Sequence, residues 1–370
     1  MGRSGPEPER HGAEWELIEA AVRPRREPRQ VVLRRAIIGG AVSLLVALII
    51  GAGFIAAYIG ALHDPQPKDV PVGVVRADQP AQTLLTAVRA QGRQLKPVGY
   101  ADRAAADAAL YRRDIYAVLA SGTGAPGLTL TTASAAAPAA TGVIAHTLTV
   151  AAQRAQVPLT VTDAVPVDAD DPRGVAPFYL TVGLVIGGYF GAIALGAAVG
   201  TVPRNVSREA IRIGAHALHA ALLGLAGALI TGPGLGIWDG RFVSLFGAGA
   251  LLAFAAAMFA AAVQGWLARL GTGLIILLLV VLGNPGSGGI YPPEFLPNFF
   301  RDIHLWDIPG LGSDLIKSVI YFPPDAAKWP AAKLGIWAVA SILVLFAATA
   351  VLGRPRSRAA RARHGRARME

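Results

Sequence analysis

Apolar residues in this chain fall into long unbroken runs, interrupted by one block of about a hundred residues with shorter, mixed periodicities. The runs cover residues 36–62, 176–201, 209–231, 242–265, 267–283 and 331–352. A helix needs about 20 apolar residues to cross a hydrocarbon core, so the pattern predicts a polytopic α-helical membrane protein with six transmembrane helices. The first run (TM1, 36–62) is 27 residues long and follows 35 residues. That is too long and too late for a signal peptide and predicts a retained anchor. The fifth run is the weakest. Its apolar core, Leu270–Leu282, is short, and Gly283-Asn284-Pro285 is expected to stop it abruptly.

The interrupting block, 63–174, alternates strand-like and helix-like segments. Strands are predicted over Val70–Ala77, Leu95–Tyr100, Ile115–Ala120, Leu128–Thr132 and Leu159–Val165. Between them, helices are predicted over Pro80–Gln91, Ala101–Arg113 and Ala139–Ala155. This order predicts an α/β domain inserted between TM1 and TM2. The remaining segments are a membrane domain over 175–352 and two basic tails, 1–35 and 353–370. A short amphipathic helix is predicted around Ala13–Val22 within a largely disordered N-terminal tail.

Charge sets the expected sidedness. With the N-terminus inside, the cytoplasmic segments carry 19 of the 34 Lys and Arg but only 8 of the 24 Asp and Glu. Arg204, Arg208, Arg212 and the Arg354–Arg368 cluster all fall inside, as the positive-inside rule requires. Both termini are therefore expected in the cytoplasm of a bacterial plasma-membrane protein, and the α/β domain outside. The net charge of +10 points to membrane orientation and anionic lipid rather than to nucleic acid, because the arginines flank apolar runs. The chain has no cysteine, which excludes disulfides, thiol chemistry and Cys-ligated metal.

Catalytic signatures are absent from the sequence. None of the five lysines follows a glycine, so there is no Walker A loop, and no H-E-x-x-H occurs. Ser121 lacks a nucleophile elbow and His146 lacks an obvious partner. The chain is expected not to be an enzyme and to need no cofactor or metal. His216 and His219 lie i, i+3 on the third run, on one helix face. They are candidates for a proton relay or a substrate path; the simpler reading is hydrogen bonding to neighbouring helices. The segment 202–212, VPRNVSREAIR, reads either as an amphipathic surface helix that docks a partner or as positive-inside flanking. Residues 283–330 are Gly/Pro-rich with two amphipathic segments, Glu294–Ile303 and Ser313–Phe322. Irregular backbone at membrane depth must be covered by protein or line a cavity. This stretch is therefore expected to dip back into the outer leaflet, shaped by Asn284, Pro285, Gly288, Gly289, Pro292 and Pro297.

Three segments carry a family resemblance: VPVGVV (70–75), DPRGVAPFYLTVGLVIGGYF (171–190) and GNPGSGG…PPEFLPNFFR (283–301) followed by GSDLIKSVIYF (312–322). With six runs and a large insertion after the first, the chain resembles the ABC-2-type permease superfamily. Within it, the likeness is to the phage-infection-protein-like branch, whose relatives include nitrosoguanidine-resistance-type proteins. The resemblance spans most of residues 36–352. It implies a homodimeric membrane subunit that moves a lipid-like or amphipathic compound or drug outward. A separate nucleotide-binding ATPase subunit would dock on the segment holding Arg204, Arg208, Glu209 and Arg212. Two alternatives stay open on the residues: a cell-envelope receptor or scaffold that binds through the α/β domain, and a proton-coupled carrier using His216 and His219.

Overall fold

The computed structural model describes residues 29–92, 94–122, 127–203 and 205–366. The expected helix at Ala13–Val22 and Arg204 lie outside the described residues. The chain divides into two compact units, Met1–Ile49 and Ile50–Glu370. In the first, the described residues belong to helix α1 (Arg29–Leu62). Its apolar side chains, Ile37, Leu44 and Leu48 among them, are exposed, as side chains that face lipid must be.

The second unit opens with the end of α1 and continues into a five-stranded sheet. The strands are β1 (Val70–Val75), β2 (Leu95–Tyr100), β3 (Ala117–Ser121), β4 (Leu128–Thr132) and β5 (Leu159–Asp163). Their order is β2-β1-β3-β4-β5, antiparallel between β3 and β4 and parallel elsewhere. Alternation along the strands sends Val72, Val74, Ala117 and Leu119 into one core with α2 (Gln79–Gln91) and α4 (Pro138–Arg154). Val118 and Ile115 face a second core with α3 (Arg103–Tyr111). Gly73 is needed there, since a Cβ would lie 2.5 Å from Ile115 Cδ1. Asp78 and Asp102 cap α2 and α3 by accepting from Ala81 N at 3.1 Å and Ala105 N at 2.8 Å. The second cap explains why α3 starts at Arg103 and not at the predicted Ala101.

The rest of the unit is helical: α5 (Ala176–Val199), α6 (Val206–Leu229), α7 (Phe242–Leu267), α8 (Arg269–Ile276), α9 (Gly283–Gly286), α10 (Asn298–His304), α11 (Ile308–Tyr321) and α12 (Pro324–Arg366). Among the described residues, five helices are long and apolar enough to cross a membrane: Ile37–Leu62, Ala176–Val199, Val206–Gly234, Phe242–Leu267 and Pro324–Gly353. They fit a multi-pass membrane protein.

Of the six expected spans, the fifth falls on a shorter apolar helix, Leu270–Gly286. At roughly 1.5 Å per residue the shorter helix reaches about 25 Å, less than a hydrocarbon core of about 30 Å. It does not stop at Gly283-Asn284-Pro285 either. A π-helical stretch, Leu277–Leu282, widens the turn and carries the chain into α9, with Pro285 inside it. The segment 202–212 is likewise not a separate surface helix. Asn205 Oδ1 accepts from Arg208 N at 3.0 Å and starts one continuous helix that runs on through the apolar stretch.

Helix α7 is the hub of the bundle and packs against α5, α6, α11 and α12. Ala253, Ala255, Ala256, Ala257 and Ala260 are fully buried along it. Such small residues let helix backbones approach closely where lipid supplies no hydrophobic drive. At the start of α5, Asp171 is buried and accepts from Val175 N at 3.2 Å and Ala176 N at 2.9 Å. Asp171→Ala removes both acceptors and is expected to cost about 1–2 kcal/mol. Thermal unfolding in detergent would read this as a lowered midpoint, with Asp171→Asn recovering part of it. An unchanged midpoint for Asp171→Ala would refute the capping role.

Candidate functional site: a charged junction between the sheet and the helices

The α3–β3 turn places Arg113 in the left-handed region, at φ +66°, an uncommon conformation for a residue with a side chain. From there the guanidinium reaches α11 and grips two successive turns. Nη1 donates to the backbone O of Asp314 at 2.8 Å and to Ser318 Oγ at 3.0 Å. Nη2 donates to Asp314 Oδ1 at 2.8 Å, and the guanidinium lies 5.7 Å from the Phe322 ring centre. A second link forms beside it: Tyr116 Oη donates to Glu294 Oε2 at 2.8 Å, and Lys68 N donates to Glu294 O at 3.0 Å. Phe295, next along the chain, is buried in the core between the sheet, α2 and α4.

Asp314 is shared. Its Oδ2 faces His304 Nε2 at 3.2 Å, and His304 Nδ1 faces the carbonyl of Gly286 at 3.1 Å. Lys317, one turn on from Asp314, is buried and donates to Gly288 O at 3.1 Å. Asp307 caps α11 through Gly310 N at 3.2 Å. Arg113, Glu294, His304, Asp314 and Lys317 wall a cleft of about 840 Å³, with Trp329 and Arg301 also on its lining. Near the start of α12, Trp329 is 77% and Trp306 is 63% exposed. Lys333 Nζ stands 5.0 Å from the Trp306 ring. An exposed aromatic and lysine fringe at the end of an apolar helix is the composition of a membrane–water interface.

Burial and charge set the protonation of this cluster. Burial would raise Asp314, but Arg113 and His304 outweigh it and hold the carboxyl well below the usual carboxylate range. Burial would lower His304; the Asp314 carboxylate overrides it and leaves the imidazole raised. Burial pushes Asp307 up to about 8, against His304 and the Gly310 amide. Burial, helped by Arg113, brings Lys317 down to about 8. Tyr116 is pushed well above its ordinary value by burial and by Glu294.

Of the Gly/Pro-rich loop residues read from the sequence, Gly288 and Pro292 line this cleft. Asn284, Pro285, Gly288, Gly289 and Pro292 are buried, and Pro297 is exposed at the start of α10. Gly288 has φ +66°, and a Cβ there would lie 2.8 Å from His304 Cε1. At Gly289 a Cβ would collide with the Phe178 ring.

The docking candidates divide. Arg208 is exposed, but Glu209 and Arg212 are buried, so they do not offer the free docking surface that the sequence suggested. Glu209 meets α12, where Thr349 Oγ1 donates to Glu209 Oε2 at 2.8 Å. His219 Nε2 meets Gly187 O at 3.0 Å on α5. His216 is buried, and its Nε2 has no hydrogen-bond partner among the described residues.

Arg113, Glu294, His304, Asp314 and Lys317 were not singled out from the sequence. The one local signal was Asp314 and Lys317 at i, i+3 within an otherwise apolar helix. No family model matches the chain, and no curated protein or solved structure does.

Proposed function

We propose that this protein is an ABC-2-type permease-like membrane subunit. It would export a lipid-like or amphipathic compound as a homodimer in the bacterial plasma membrane, with energy from a separate ATPase. The observation that carries the reading is the grip of Arg113 on Asp314 and Ser318. It ties the sheet to a segment packed into the helices, so that movement of one is passed to the other. The cleft beside it joins apolar surface to a charged wall, which suits a molecule with both characters.

Packing within the second unit is compatible with the short apolar helix as a further crossing. The start of α6 and the end of α7 meet the late part of α12, through Glu209–Thr349 and through Trp266 Nε1 donating to Val344 O at 3.3 Å. The loop after α9 meets the sheet at the other end. In this reading Leu270–Gly286 would connect opposite ends of the bundle as a short sixth crossing, with the α/β part and the segment 287–323 on the outer side.

The test is a mild-detergent purification of the tagged protein, with identification of what accompanies it. A nucleotide-binding subunit should co-purify and be depleted by Arg208→Glu, the exposed arginine at the start of α6. Recovery of the protein alone, or with envelope proteins only, under conditions that preserve other transporter complexes would overturn the ATP-driven reading in favour of a receptor, scaffold or autonomous carrier.

A further inference from the structure

His304 is buried, and each of its ring nitrogens faces an oxygen that accepts. Gly286 O is a carbonyl and has no proton to give. Asp314 is held as a carboxylate by the two-point grip of Arg113. A neutral imidazole carries one N–H and can satisfy only one of these partners, whereas the imidazolium satisfies both. Loss of the proton leaves a buried lone pair against a buried oxygen, the arrangement least tolerated inside a protein.

The two partners belong to different pieces. Gly286 ends the short apolar helix, and Asp314 is the residue on α11 that Arg113 of the sheet region holds. We propose that His304 is a proton-binding site whose occupancy decides whether the short apolar helix, α11 and the sheet stay clamped together. The inference stands apart from what the protein carries and from whether an ATPase drives it.

The other ionisable groups around His304 are few. On α11 they are Asp307, Asp314 and Lys317; from the sheet side come Arg113 and Tyr116; Glu294 lies on the segment before α10. On α10 itself, Arg301 and Asp302 line the same cleft. The sign follows from the cationic form being the clamped one. A histidine raised in the folded state contributes its full stabilisation below its unfolded value of about 6.5 and loses it as pH rises through the folded value. The clamp is therefore closed in mild acid and opens toward alkaline pH.

Because the chain has no cysteine, a pair of spin labels can be introduced without background. Labels at Gln91→Cys and Ala332→Cys, both exposed positions, in the full-length protein in lipid nanodiscs report the distance from sheet to α12. A narrow distribution is expected at pH 6, broadening in a one-proton transition as pH rises. His304→Gln, which cannot become a cation, should give the broad distribution at every pH. A distribution unchanged from pH 5.5 to 10 would overturn the proposal. So would a transition that persists in His304→Gln but disappears in Asp307→Asn or Lys317→Met, because the proton would then belong to one of those groups. Histidine ¹⁵N shifts in wild type and His304→Gln check independently that the imidazole titrates over the same range.

Discussion

Replacing Arg113 by methionine is expected to lower stability by about 3 kcal/mol, with the loss concentrated at the junction of sheet and helices. The substitution keeps a long apolar stem against Phe322 but removes the guanidinium's three hydrogen bonds to Asp314 and Ser318. It leaves a carboxylate in a largely enclosed site, with His304 as its remaining side-chain hydrogen-bond partner and Lys317 nearby. Breaking one partner of a buried pair costs about 3–5 kcal/mol. The lower end applies here because the Asp314 side chain keeps 30% of its surface exposed to the cleft. Adding Asp314→Asn to Arg113→Met should recover part of the loss, since the orphaned charge is then gone. The pH dependence has a definite sign. Asp314 is held below the ordinary carboxylate range, so its stabilisation is complete above about pH 4 and is lost as pH falls further. Wild type and Arg113→Met should therefore converge in strong acid. Chemical unfolding in nanodiscs measures both effects. A difference below about 0.5 kcal/mol at neutral pH, in the range of an exposed pair, would show that the grip is incidental.

Gly224→Leu is expected to abolish the docking of α6 onto α7. A Cβ at Gly224 would lie 2.5 Å from Ala250 N and 2.6 Å from Phe246 O, both backbone atoms of α7 that no rotamer change can move. Gly249 faces it, with its own Cβ position 3.1 Å from Gly224 Cα. The two backbones are in contact, and a side chain must push the helices apart. Gly224→Ala should cost about 1–3 kcal/mol, the range for overpacking, and the leucine variant should be recovered poorly or aggregated. Gly214→Ala on the same helix is the control, because a Cβ there meets nothing within 4 Å. Size-exclusion profiles and unfolding midpoints of the three variants decide it. Equal behaviour of Gly224→Ala and Gly214→Ala would mean the contact is not under compression.

Local patterns made much of the fold legible. The strands over Leu95–Tyr100 and Leu128–Thr132 fall where β-rich runs bounded by Gly, Pro and Asp placed them. Long apolar runs marked five helices, because hydropathy and length act locally. The failures have a common cause. The charged segment 202–212 was set apart from the third run as a surface helix or flank, although α6 begins at Val206 and buries Glu209 and Arg212. Pro285 read as a stop, but the wider π turns ahead of it carry the helix past. The junction was illegible for a different reason. Arg113 lies about 200 residues from Asp314 in sequence, and neither residue stands out in its own segment. What could be read was the need for cover around Gly288 and Gly289, and the cover proved to include His304 and Phe178.

The burial of α7 bears on biosynthesis. As the chain emerges, α7 enters the bilayer after α5 and α6 but before α11 and α12 exist to cover its far side. Its alanine-lined surface inserts readily, yet it offers lipid few large side chains to pack against. The hub is therefore expected to be held on one flank only until the last helix has been made, with closure of the bundle a late event. A ribosome stalled before residue 324 would leave a chain already inserted but not yet assembled.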